Sequence, residues 1–135
     1  MSSTFVPEEI AVAMQFVREA APAHAILAFD DASIRIGEVV FTSSIALSYH
    51  SGATPWNASD PLDATALAHA VTLNAEIIII GTGRRQRFPP PVALRPIIEA
   101  RLGFEIMDTR AACRTYNVLL SEGRRVGALL VIGDA

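Results

Sequence analysis

Ile77-Ile78-Ile79-Ile80-Gly81-Thr82-Gly83-Arg84 is the stretch on which the fold turns. A short, wholly aliphatic run that stops at glycine reads as a strand buried on both faces, which belongs inside a sheet rather than at its margin. The pattern on either side is helical. Upstream, Asp60 suits an N-cap, Pro61 the first helical position and Asp63 the first turn. Leu62, Ala66, Leu67, Ala70 and Val71 would then line one face. Downstream, a Gly/Arg/Pro loop leads to a helix that is irregular over 91–95, regular from Pro96, and ends before Gly103. A strand at 104–107, a helix at 109–121 and a strand at 125–132 follow. Gly103 and Gly123 both fit helix C-terminal caps. Helices alternating with buried strands imply an α/β arrangement, with helices packed on a sheet.

The N-terminal half has a different period. Residues 24–50 alternate as short antiparallel strands around Asp30-Asp31-Ala32-Ser33 and Gly37-Glu38, with Ile45–Tyr49 as a further strand. Residues 51–55 read as a loop ending at Trp56. Residues 1–23 read as an arm: Pro7-Glu8-Glu9 opens a short helix through Arg18, and Ala21-Pro22-Ala23 breaks it. A single α/β domain over 24–135 is the expected organisation.

Composition narrows the function classes. A chain of 135 residues, 51% hydrophobic, can bury a core without disulfides or metals. No run approaches the roughly 18 apolar residues of a membrane span, and no basic region followed by an apolar block argues for a secretory signal. The lone Cys113 has no intrachain partner, which fits a reducing cytoplasmic or organelle-matrix setting. All 11 basic residues are arginine, and their placement is uneven. Residues 1–80 hold two arginines against nine acids, a net of −7, whereas residues 81–125 hold nine against four, a net of +5. The chain therefore has an acidic and a basic end, and its overall charge of −3 makes it a poor nucleic-acid binder. His24, His50 and His69 are dispersed and no His-Glu-x-x-His or Cys-x-x-Cys occurs, so no metal or cofactor is expected.

Three places carry candidate chemistry. Gly81, Thr82 and Gly83 leave the C-terminal end of the buried strand, where α/β sheets bind ligands. Their N–H groups, with Arg84, Arg85 and Arg87, could cradle an anion. A tight turn with solvated arginines explains the same residues, since the third glycine of a dinucleotide fingerprint and the Lys-Ser/Thr of a P-loop are both missing. On helix 109–121, Ala112, Tyr116, Leu119 and Leu120 should face the core, leaving Arg110, Arg114, Asn117 and Ser121 as a polar stripe. That stripe could grip a carboxylate, a phosphate or an acidic partner, or its arginines could pair internally with Asp108 or Glu122. Asp108 or Thr109 can cap the start. Cys113 sits between two arginines, which can lower a thiol pKa and make it reactive; with no His nearby in sequence to act as base, a buried structural cysteine is the favoured reading. Asp30-Asp31, the adjacent carboxylate pair, reads as a solvated turn.

One resemblance covers residues 24–132. Its carriers are the Trp56 loop, Ile77–Gly83, Phe88-Pro89, Glu105-Ile106-Met107-Asp108-Thr109, and above all Ala111-Ala112-Cys113-Arg114-Thr115-Tyr116-Asn117-Val118-Leu119 with Glu122-Gly123-Arg124. These segments resemble the family of mitochondrial NADH dehydrogenase (complex I) assembly factor 3 and its prokaryotic relatives of unknown function. The resemblance implies a three-layer α/β fold: a mixed central sheet of about five strands flanked by helices, a small extra antiparallel β layer, and a last strand antiparallel to the rest. It also implies a non-enzymatic binding or assembly module whose partners are respiratory-complex or membrane-insertion subunits, near a membrane but without a span. The alternative is a small-anion-binding protein or enzyme using the Gly81–Gly83 turn. The Arg84-Arg85-Gln86-Arg87 and Pro89-Pro90-Pro91 loop, and Ser43-Ser44, depart from many relatives.

Overall fold

The computed structural model describes residues 21–133, so the helix expected through Arg18 lies outside the described residues. Three short strands, β1 (Ile26–Phe29), β2 (Ile34–Ile36) and β3 (Val39–Phe41), form an antiparallel sheet in that order. Five more form a mixed sheet: β4 (Ile45–Ser48), β5 (Gly52–Pro55), β6 (Ile77–Gly81), β7 (Gly103–Met107) and β8 (Val126–Leu130), ordered β5-β4-β8-β6-β7. The helices are α1 (Ala64–Leu67), continued by a 3-10 segment Ala68–Leu73; α2 (Arg95–Glu99), preceded by a 3-10 turn Pro91–Leu94; and α3 (Thr109–Ser121).

The isoleucine strand sits inside the larger sheet, hydrogen-bonded in parallel to β8 on one side and β7 on the other. Its side chains divide between two cores, as the two-residue period of a strand requires. Ile78 and Ile80 join Leu67, Leu73, Ile97, Leu129 and Trp56 beneath α1 and α2. Ile77 and Ile79 join Ile45, Leu47, Tyr116 and Leu130 beneath α3, and the small sheet adds Ile26 and Ile34 to that side. Helices on one face, the sheet, and α3 with β1–β3 on the other make the three layers.

Several expectations are corrected. The meander stops at β3. All four residues of β4 are buried, a pattern suited to an interior strand, and β4 runs between β5 and β8. Residues 52–55 are not a loop: β5 pairs antiparallel with β4 at the sheet margin, where Pro55 is tolerated. The last strand is parallel to β6; it is β4 that runs antiparallel to β8.

The helix expected from Asp60 begins later. Asp63 is the N-cap, its Oδ1 accepting the Ala66 N–H at 2.8 Å, while the Asp60 carboxylate is turned toward Arg87. Past Leu67 the helix tightens to three residues per turn, so Ala70 and Leu73 point inward and Val71 rotates out to solvent. The 91–95 irregularity is a 3-10 turn, as the prolines imply. Gly103 is the first residue of β7 rather than a cap. The left-handed position ending α2 is Arg101 at φ 59°, where Leu102 N–H reaches the Ile97 carbonyl at 3.2 Å. Gly123, at φ 79°, does close α3, with Arg124 N–H on the Leu119 carbonyl at 3.0 Å.

Candidate functional site

The parallel strands β8, β6 and β7 end together, and the loops leaving them are bound to one another by two threonines. Thr82 N–H donates to the Met107 carbonyl at 2.9 Å. The Thr82 hydroxyl donates to the Arg85 carbonyl at 2.6 Å and accepts from Arg87 N–H at 3.0 Å. Thr109 closes the other side: its hydroxyl donates to the Val131 carbonyl at 2.6 Å and accepts from Gly83 N–H at 2.8 Å. Gln86 Nε2 adds a bond to the Ile106 carbonyl at 2.9 Å. Both threonines are buried.

The N–H groups of Thr82 and Gly83 are thus directed at protein acceptors, and the cations of this turn are carried by its side chains. Gly81 has a packing reason for its identity. A Cβ there would lie 3.0 Å from Ala112 Cβ, from Leu130 Cδ2 and from the Thr109 backbone, so only glycine lets α3 lie this close to β6.

The two arginine clusters meet through Arg84 and Arg110, which line one narrow cleft with Asp30, Asp31 and Thr109. Arg110 Nη1 pairs with Asp31 at 3.3 Å. Asp108 and Glu122, the partners expected from the sequence, are not used: the Asp108 Oδ1 caps α3 by accepting Ala111 N–H at 2.9 Å, and Glu122 lies at the far end of the helix. Arg87 faces a second cleft of about 70 Å³, floored by Leu62, Pro89 and Val131, and pairs with Asp60 at 3.0 Å across its rim. Arg85 is exposed. Arg114 stacks its guanidinium 5.9 Å above the Phe29 ring. The Asp30 carboxyl is held below the usual range because it accepts the Ala32 and Ser33 N–H groups; the Asp30-Asp31 turn is therefore an ordered Asx turn.

The polar stripe of α3 is largely a docking face for the small sheet. Asn117 Oδ1 accepts Ile26 N–H at 2.9 Å while its Nδ2 donates to the Ile26 carbonyl at 2.8 Å, pairing with β1 as a neighbouring strand would. The Tyr116 hydroxyl donates to the His24 carbonyl at 3.0 Å, and burial pushes the phenol pKa up. Cys113 is fully buried in the core under α3, and desolvation outweighs Arg114 to push its thiol up to about 12. A thiol so placed is protonated at neutral pH. The partners Asp31 and Asp60 and the threonine bonds have no local signature; Asn117 alone stands out in sequence, as the amide on a stripe of two arginines and a serine. Among the described residues, no three His, Cys, Asp or Glu side chains gather to hold a metal ion, and no helix is long and apolar enough to cross a membrane.

A five-stranded mixed sheet between helices, with a separate three-stranded sheet beside α3, is the architecture of an Mth938-like α/β domain. The chain belongs to the family described as protein of unknown function (DUF498/DUF598), which it matches over residues 26–131. It is 31% identical over 118 residues to human NADH dehydrogenase (ubiquinone) 1 alpha subcomplex assembly factor 3, covering 84% of this chain and 64% of that protein. It is 40% identical over 58 residues to a 13 kDa major membrane protein of Francisella tularensis, covering 43% of this chain and 47% of the relative. The chain thus spans less than two thirds of the length of these curated relatives. A crystal structure from Bordetella parapertussis superposes with a TM-score of 0.75 at 35% identity, over 84% of this chain and 98% of the other. A solution structure from Bordetella pertussis, described as an Mth938-like domain, gives 0.74 at 28% identity over 100% and 95%.

Proposed function

We infer that this chain is a non-catalytic assembly module that holds a protein partner, a subunit of respiratory complex I or of another membrane complex, while that partner is built into its assembly. The homology to complex I assembly factor 3 carries this reading. The site adds a surface for it. Its backbone donors are used internally, and the turn that leaves β6 carries the exposed side chains of Arg84, Arg85 and Arg87, while Arg110 beside it is paired with Asp31 and Arg114 lies over Phe29. An acidic partner would be steered to that turn, with charge complementarity setting encounter and register more than affinity. In this reading the module works in the reducing cytoplasm, beside a membrane rather than through it.

The test is capture from the native host after mild crosslinking, with the tagged chain and an Arg84→Glu/Arg87→Glu variant side by side. Respiratory-complex or membrane-insertion subunits should be enriched by the parent and absent from the variant, which stays folded although it loses the exposed Arg87–Asp60 pair. A parent that captures no specific protein would overturn the assembly reading. Equal capture by the variant would remove the arginine turn from it.

A further inference from the structure

Phe88, Val92 and Ile98 are the three most exposed large apolar side chains among the described residues, at 72%, 65% and 56%. All three lie in one segment. Residues 81–104 also carry Arg84, Arg85, Arg87, Arg95 and Arg101 against the single acid Glu99, a net of +4 within a chain of net −3. Single exposed apolar groups are ordinary on a protein surface. The coincidence of the three most exposed with the most cationic segment is not.

The geometry holds these groups outward. The 3-10 turn and α2 form one helical rod over 91–99, with Ala93 and Ile97 buried beneath it. Val92, Arg95 and Ile98, three residues apart, therefore share its outer side. Arg95 is paired with Glu99 at 4.0 Å, which leaves Arg101, turned by its left-handed backbone, at the end of the rod. The base of the preceding loop is fixed by buried Pro89, by Gln86 on the Ile106 carbonyl and by Arg87 N–H on Thr82. Phe88 stands between those anchors at the mouth of the cleft that Leu62 and Pro89 line, with most of its surface exposed.

We propose that this face, spanning residues 84–101, docks on an anionic lipid surface. Phe88, Val92 and Ile98 enter the interface, and Arg85, Arg101 and their neighbours sit at headgroup level. Phe88 follows Arg87 along the chain, and Val92 and Ile98 each stand three positions from Arg95 on the rod. A fluid interface accommodates that pattern, since acyl chains receive the apolar tips while phosphates surround the cations. The proposal stands on this surface alone and does not depend on the identity of an assembly partner. Each arginine brought to an anionic membrane contributes about fivefold in affinity, and burying a phenyl ring about tenfold or more.

Co-sedimentation of the full chain with vesicles tests this, comparing pure phosphatidylcholine with a 60:40 mixture of phosphatidylcholine and phosphatidylglycerol. Binding is expected to the mixture only and to weaken as salt is raised. Arg85→Ser/Arg101→Ser should weaken it by about twenty-fold, and Phe88→Ser by about tenfold. In a Phe88→Trp variant, emission should shift to the blue on adding the anionic vesicles, because Trp56 is buried and contributes a constant background. No binding to anionic vesicles at low salt would overturn the proposal, as would binding that the serine variants retain. Unshifted emission from the Phe88→Trp variant during binding would equally overturn it, by removing the insertion. Loss of protein capture in the Arg84→Glu/Arg87→Glu variant without any vesicle binding would give the cationic segment to an acidic protein and end the lipid reading, leaving the assembly reading intact.

Discussion

Replacing Asn117 with alanine removes two hydrogen bonds at once, both to the backbone of a single residue, Ile26. A net contribution of about 0.5–1.5 kcal/mol per bond gives a loss of about 1–3 kcal/mol, toward the upper end if the freed groups cannot reach water. The Ile26 side chain is 4% exposed, so the strand is held in place at this point and does not merely brush the helix. For a domain of this size the loss corresponds to a fall in melting temperature of about 3–12 °C. The more discriminating assay is amide hydrogen exchange. Ile26 should lose protection beyond the global change, because its N–H partner is gone, while Ile79 in the larger sheet should fall only with overall stability. Asn117→Asp keeps the acceptor for the Ile26 N–H but turns a carboxylate oxygen toward the Ile26 carbonyl, so it should also destabilise. Unchanged melting together with undiminished protection at Ile26 would refute the idea that α3 secures the small sheet through this amide.

Gly81→Ala should destabilise by about 1–3 kcal/mol in denaturant titration, because the added methyl meets the Thr109 backbone at 3.0 Å and α3 must move. Iodoacetamide should leave Cys113 unmodified in the native protein at pH 8 and label it fully in guanidinium chloride; fast native labelling would contradict a thiol raised to about 12. Glu76 bridges Arg124 at 2.8 Å and Arg125 at 3.2 Å, and those bonds lower its pKa on folding. Its contribution is therefore complete above the unfolded value and disappears as pH falls through the folded one. The stability gap between the parent and Glu76→Gln should accordingly narrow on acidification, and a gap that widens would reverse the sign.

The helices and strands of the C-terminal half are legible because their signals are local. Ile77–Ile80 declares burial on two faces, and helix 109–121 carries both its cap and its closing glycine in sequence. Sheet membership is not legible in the same way. Ile45–Ser48 looks like one more strand of the meander until its wholly buried pattern is seen to need neighbours on both sides, and β8 is separated from β4 by more than seventy residues. The start of α1 is ambiguous in sequence because two aspartates compete for one role; in the fold Asp63 takes the cap and Asp60 faces Arg87, far along the chain. At the candidate site the arginines can be named but not paired. Asp31 and Asp60 reach them only through the fold, and the Thr109 hydroxyl joins residues 22 and 26 positions away that no motif connects.

Two strand margins among the described residues each carry a side-chain carboxamide. A primary amide carries N–H donors and a carbonyl acceptor in the same plane, so it can stand in for a peptide unit. Asn117 occupies both backbone groups of Ile26 on β1, and Gln86 takes the Ile106 carbonyl on β7, where exposed Glu105 adds a charge. Open margins invite strand addition by other chains. Here a side chain from a helix occupies one residue of the β1 margin, and another from a loop one carbonyl of the β7 margin, without adding a strand. The consequence is protection against self-association: loss of either amide should show first in concentrated solution, as growth of β-rich aggregates, well before the fold itself fails.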